Sequence, residues 1–113
     1  MTKPELRKKA IAILAKAERE FDPNVTKKQL MTQPNIVGSW GAHNWKNISD
    51  KALLFQVNGR LHKGVVGIFL GFDDLYNVFL LDRDLNFFPS FTLYGVYAED
   101  LVMAIDRIVE TPE

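Results

Sequence analysis

The sequence predicts an α+β fold in which an amphipathic N-terminal helix precedes a four-stranded antiparallel meander and a C-terminal helix packs on the sheet. Two observations predict it. Short apolar runs alternate with Gly, Asn and Asp residues between Lys51 and Tyr97, which is typical of strands and turns. Apolar residues recur with helical spacing on both sides of this region. A chain of 113 residues can bury a core without cross-links, so we expect residues 1–113 to form a single α+β domain.

The first segment is predicted to be a helix over about residues 3–20. Thr2 and Glu5 have the spacing of a capping box, and Pro4 fits a first helical turn. Asp22-Pro23-Asn24 ends the helical pattern. We expect the apolar stripe of this helix to cover the sheet: Leu6, Ala10, Ile13, Leu14, Ala17 and Phe21.

The chain between this helix and the sheet has less regular patterns. Residues 26–32 predict one or two helical turns, with Thr26 and Gln29 at capping-box spacing and Pro34 as a stop. Residues 36–41 predict a short edge strand that leads into a loop.

The Asn58-Gly59 pair predicts a two-residue hairpin turn of type I′, in which both residues have a positive φ. Pro89 lacks a backbone N–H, so the last strand is predicted to lie at an edge or to be interrupted there. Alternation along the first two strands predicts one row of side chains on the same face: Leu53, Phe55, Val57, Val66, Ile68 and Leu70.

The strands also carry apolar residues outside that row, whereas a sheet with one wet face alternates more cleanly. Either two helices cover one face each, or one face contacts a second subunit. The C-terminal helix is predicted over about residues 98–110 from its apolar stripe. The residues outside the row are Leu54, Val65, Phe69, Phe79 and Leu81, and the stripe is Leu101, Val102, Ile105, Ile108 and Val109.

Charge is divided unevenly along the chain although the net charge is zero. Residues 1–63 carry twelve Lys/Arg against five Asp/Glu, a net charge of +7, and residues 64–113 carry two Arg against nine Asp/Glu, a net charge of −7. The basic half either meets an acidic partner, nucleic acid included, or is neutralised by the acidic half within the domain.

The residue patterns disfavour catalytic and cofactor chemistry. The absence of cysteine excludes disulfides, thiolate nucleophiles and cysteine metal sites. His43 and His62 lack the spacing of a zinc site, and no serine has the context of an activated nucleophile. Asp82 and Asp84 are better explained as turn-capping residues than as cation ligands. The glycines have no phosphate-binding spacing, so we expect no cofactor, no metal and no enzymatic activity.

A partner-binding surface is predicted where aromatic and basic residues lie close together in the sequence. Trp40 and Trp45 flank His43, and aromatic rings beside cations can stack bases while the cations neutralise phosphates. The alternative is that both tryptophans are core or lid residues, because burying an indole is strongly favourable. The predicted surface comprises Lys27, Lys28, Trp40, His43, Trp45, Lys46, Arg60 and Lys63.

Four stretches of the chain resemble small proteins of unknown function in bacterial mobile elements and their phages: Trp40–Ala42, Val57–Gly64, Asp74–Val78 and Val96–Leu101 with Ile105-Asp106. The resemblance covers roughly residues 38–110. It implies a cytoplasmic accessory protein and assigns no functional residues.

Together these features predict a non-catalytic binding or accessory module that acts through protein or nucleic-acid contacts. The alternatives are a structural homo-oligomer, such as a homodimer through the sheet, and a small enzyme without a recognisable motif. The N-terminal segment lacks the apolar core of a signal peptide, and no apolar run has the length of a membrane span. We therefore expect a cytoplasmic protein without a membrane partner.

Overall fold

A computed structural model describes residues 2–88 and 92–110. The described residues form four α-helices and one five-stranded antiparallel sheet in the order β1-β2-β3-β4-β5. A 3-10 turn, Ala98–Asp100, precedes the last helix. The elements are α1 Lys3–Leu14, α2 Pro23–Leu30, α3 Pro34–Ser39, β1 His43–Ile48, β2 Ala52–Asn58, β3 Lys63–Leu70, β4 Tyr76–Leu81, β5 Leu93–Val96 and α4 Leu101–Val109.

The predicted α+β class and antiparallel meander are confirmed, but the sheet has five strands and not four. The additional strand is β1, which lies in the segment predicted to be a loop. The strand predicted at residues 36–41 is wrong, because α3 occupies most of that segment. Pro34 stands in the first turn of α3, where its missing N–H costs nothing, and Gly41 then reverses the chain with a φ of 65°.

The two faces of the sheet have different covers. The first face carries the predicted row of side chains except Leu70, which is not part of its core cluster, and packs under α2, α3 and α4. The second face packs under α1. The first face comprises Leu53, Phe55, Val57, Val66, Ile68, Val78 and Leu80. The second face comprises Ala52, Leu54, Val65, Phe69, Phe79 and Leu81. Helices thus cover both faces, which is the first of the two alternatives that the sequence left open.

The N-terminal helix is shorter than predicted. It begins with Thr2 as its N-cap, whose hydroxyl accepts from the N–H of Glu5 at 3.4 Å, but it ends at Leu14. The chain then crosses the ends of the strands, and the N–H of Phe21 donates to the carbonyl of Asp50 at 2.8 Å. Phe21 therefore packs on the first face, and its assignment to the stripe of α1 is wrong. A helical pattern in sequence does not show where a chain changes layers.

The hairpin between β2 and β3 is present, but its predicted two-residue turn is wrong. Asn58 pairs with Lys63, so the loop is 59–62, and neither Asn58 nor Gly59 has a positive φ. The physical reason is the contact of this loop with α4. A Cβ atom on Gly59 would lie 2.6 Å from Cγ1 of Val109, so the glycine is required for close approach and not for a left-handed conformation.

The C-terminal helix agrees with its predicted stripe. Leu101, Val102, Ile105 and Val109 are buried. The β2–β3 loop caps its C-terminus, because the N–H groups of Leu61 and His62 donate to the carbonyl of Val109 at 2.8 and 3.2 Å. Among the described residues, no helix has both the length and the apolar character that crossing a membrane requires. Pro89 lies outside the described residues.

The helix predicted near residues 26–32 is α2, which starts earlier than expected. Its N-cap is Asp22, whose carboxylate accepts from the N–H of Asn24 at 2.9 Å, and Pro23 occupies the first turn. The predicted cap, Thr26, is instead a buried residue whose hydroxyl lies 2.9 Å from the hydroxyl of Tyr76. The Asp-Pro pair is the start signal of α2, whereas the sequence pattern had indicated it as the end of the preceding helix, which in fact ends at Leu14.

Candidate functional site

Trp40 belongs to the core and not to the surface. Its side chain has no exposed area, and its Nε1–H donates to Oδ1 of Asp106 at 2.9 Å. The ring also stacks near Phe55, with 6.4 Å between the ring centroids. Of the two sequence alternatives for this residue, its burial favours the core.

Trp45 is half-buried on β1, and other side chains already occupy its ring. It stacks on Phe55 with 4.4 Å between the centroids, and the ammonium of Lys27 lies 4.9 Å from the ring centroid. This is a cation–π contact. A nucleic-acid base would have to displace Lys27 in order to stack on Trp45.

The remaining members of the predicted surface are exposed but lie on different parts of the fold. Lys28 is on α2, and Lys46 is on β1 opposite Leu54 of the second face. His43, Arg60 and Lys63 lie at the sheet end that holds the β2–β3 loop. Nδ1 of His43 lies 2.6 Å from the carbonyl oxygen of Gly41. Within the predicted set, the structure joins Lys27 to Trp45 by direct contact and separates Lys46 from them by the sheet.

Asp82, one of the two predicted turn-capping aspartates, caps a turn, and Asp73 caps another. Asp82 accepts from the N–H groups of Asp84 and Asn86 at 2.8 and 2.9 Å, and Asp73 accepts from the N–H of Leu75 at 3.1 Å. The Asn86 N–H is the largest influence that lowers the pKa of Asp82 below its ordinary value, opposed in part by desolvation. No group of three or more potential metal ligands occurs in the described part of the chain.

An apolar groove lies between α1 and the β1–β2 part of the second face. We call it the α1 groove, and its volume is about 220 Å³. Its walls are apolar on both sides, and its polar lining comes from the edge strand and its neighbour. The apolar walls comprise Leu6, Ala10, Ile13, Ile48, Leu54, Val65 and Leu85, and the polar side chains are Asn44, Lys46 and Gln56.

The groove exists because α1 is held to the sheet by few side chains. Ile13, with 1% of its surface exposed, is the one buried residue of this helix. Leu6 and Ile11 are 46% and 62% exposed. Lys9 donates a hydrogen bond to Asn86, and Lys16, just beyond the helix, lies 5.6 Å from the ring centroid of Phe87. Ala10 faces the groove with a small side chain, so the space beside Ile13 is not filled.

The polar lining of the α1 groove presents hydrogen-bond donors. Lys46 is exposed, and no ion pair or hydrogen bond of its side chain occurs among the described residues. Nδ2 of Asn44 donates to Oε1 of Gln56 at 2.9 Å, which leaves the amide NH₂ of Gln56 as a donor. No Asp or Glu lines the groove among the described residues. Lys46 was a predicted partner-binding residue, but its association with an apolar groove was not predicted.

One signal in the sequence pointed to this region. The second face is as apolar as a core, yet the stripe of α1 that covers it contains two alanines and one residue that packs elsewhere. An apolar sheet face under a helix with small side chains indicates incomplete filling. Comparison with known proteins finds no similar family model, curated protein or solved structure.

Proposed function

We propose that this protein is a non-catalytic binding module that takes an apolar group of its partner into the α1 groove. The observation that carries the proposal is the open apolar space between α1 and the second face. Ligand sites in proteins are concave and mostly apolar, with a few polar groups that orient the ligand. The α1 groove has this composition, with three polar side chains along one side.

The α1 groove has room for a small apolar group. An apolar cavity of about 150 Å³ is enough to bind benzene, and the α1 groove measures about 220 Å³. Its hydrophobic walls would gain roughly 25 cal/mol for each Å² of apolar surface that a ligand removes from water.

The test uses a neutral apolar probe, octan-1-ol, and follows backbone amide chemical shifts by NMR. We expect shifts in α1, β1 and β2 that saturate with alcohol concentration. Ala10→Leu fills the groove from the helix side and should abolish them. Ala12→Leu is the matched control, because Ala12 is on the exposed side of the same helix. Equal binding by both variants, or shifts confined to other regions, would contradict the proposal.

A second candidate function is nucleic-acid contact through phosphate groups, as in an accessory protein of a mobile element. The observation that favours it is the exposure of His43, Arg60 and Lys63 at one end of the sheet. Phosphate contacts weaken as salt displaces them, so a labelled oligonucleotide should bind less at high salt. Arg60→Glu with Lys63→Glu should weaken this binding further, whereas binding that ignores both salt and charge reversal counts against this function.

A further inference from the structure

We infer that the α1 groove selects a linear aliphatic chain that ends in a carboxylate, such as a medium-chain fatty acid monomer. This inference rests on the proposed function and names the ligand class of the same site. Its three supports are the apolar walls, the size of the groove and the sign of the charge at its polar side.

The charge at the groove complements an anion. Lys46 lines the groove and is exposed. A lysine in such a position commonly packs its aliphatic stem on apolar surface while its ammonium stays in water. The free NH₂ donors of Gln56 lie along the same side, because its amide oxygen already accepts from Asn44. Since the groove lining among the described residues contains no carboxylate, an anionic head group meets donors there and no repulsion.

The lining accommodates an aliphatic chain. Lining residues run along the strands from Ile48 to Gln56 and along α1 from Leu6 to Ile13, so a flexible chain can contact several of them in succession. Scaling from the six carbon atoms of benzene in about 150 Å³ gives a chain of roughly eight to nine carbon atoms for the groove volume of about 220 Å³. The side chains of α1 in the wall are aliphatic, which suits methylene groups.

The experiment measures dissociation constants for three ligands with the same eight-carbon chain: octanoate, octan-1-ol and octyltrimethylammonium. We expect octanoate to bind about fivefold more tightly than the alcohol, which is the upper range for one exposed charge pair. The cation should bind most weakly. Lys46→Met keeps an apolar stem and should lower the ratio of octanoate affinity to octan-1-ol affinity from about fivefold to about one. Lys28→Met is the matched control, because Lys28 is exposed on α2 over the other face.

The possible results separate this inference from the proposed function. If octanoate and octan-1-ol bind equally, and Lys46→Met changes neither, the charge selectivity is wrong and the groove remains a binding site. If none of the three ligands gives shifts that Ala10→Leu abolishes, both the ligand class and the proposed function fail. If the ligands compete with self-association or with an acidic peptide for the groove, and octanoate is the weaker occupant, the fatty-acid assignment is overturned in favour of that partner.

Discussion

The two faces of the sheet contain similar apolar side chains, and both are buried, but they are covered by different numbers of helices. Three helices pack on the first face, and the side chains of Leu30, Val37, Trp40, Leu101 and Ile105 complete its core. One helix packs on the second face and buries only Ile13. The first face therefore lies under three helices, whereas the second face, although buried, lies under a thinner cover of one helix and the loop side chains Leu85 and Phe87.

Under the proposed function, this difference places stability on one face and binding on the other. Filling a face with side chains contributes to the free energy of folding but leaves no space for a ligand. A short helix held by one buried residue can move at small cost, because isolated helices of about 12 residues are only marginally stable in water. The elements that move on binding are drawn from such weakly held regions. The α1 groove lies where the cover is thinnest.

The largest expected effect is the loss of stability when a buried isoleucine on each face is replaced by alanine, which leaves a cavity. Ile105→Ala should lower the free energy of unfolding by about 3–5 kcal/mol, because Ile105 is fully buried in a closely packed core. Ile13→Ala should cost only about 2 kcal/mol although Ile13 is equally buried, since α1 can move to close the space. Urea denaturation measures both values. Equal losses would contradict the difference in packing between the faces.

The next effect concerns the loop that holds α4 on the first face. Gly59→Ala should lower the free energy of unfolding by about 1–3 kcal/mol, because the new methyl group would collide with Val109. Gly38→Ala is the matched glycine control: its added Cβ meets nothing within 4 Å, and the residue lies in α3. It should raise stability by about 0.5–1 kcal/mol. If both substitutions shift the melting temperature in the same direction, the contact between the β2–β3 loop and α4 does not distinguish Gly59 from Gly38, which would contradict this prediction.

The smallest effect concerns the loop that contacts α1 over the second face. Asp82 orders this loop by accepting from Asn86, and Asn86 in turn accepts a hydrogen bond from Lys9 of α1. Since the folded pKa of Asp82 is lowered, its contribution to stability is complete above the ordinary aspartate pKa of about 3.9 and is lost as pH falls through the folded pKa. An NMR titration of the carboxyl group should give a midpoint below that value. Asp82→Asn should remove this part of the acid dependence of stability, and an unshifted midpoint would contradict the capping role.

The sequence predicted what depends on periodicity and missed what depends on the arrangement of layers. The row from Leu53 to Ile68 and the stripe of α4 followed from alternation and helical spacing, because the same residues face the core in the folded chain. The fate of Phe21 and the turn at Gly59 did not follow. The ring of Phe21 packs edge-to-face on Tyr76 of β4, on the same face of the sheet. Gly59 is in close contact with Val109, which lies fifty residues later in the chain. Such contacts are set by tertiary packing, which overrides local propensity.

The candidate site was only partly accessible from sequence for the same reason. Lys46 could be named as a basic residue near aromatic ones, but alternation alone does not tell which face of β1 it occupies. Its pairing opposite Leu54 places it on the second face, away from Trp45 and Lys27. The α1 groove itself depends on how far α1 stands from the sheet; the two alanines of the predicted stripe indicate incomplete filling, but they do not give that distance.

The measurement that tests the central difference most directly is native-state hydrogen exchange of backbone amides in α1 and α4. The thin cover of the second face predicts that the amide of Ile13 opens with a free energy at least about 2 kcal/mol below that of Ile105, a difference of roughly 30-fold in protection. A saturating concentration of octan-1-ol should increase the protection of the amides in α1. It should not change the difference between the opening free energy of α4 and the free energy of global unfolding. Equal protection of the two helices in the free protein would contradict the account, because α1 would then be as firmly packed as α4.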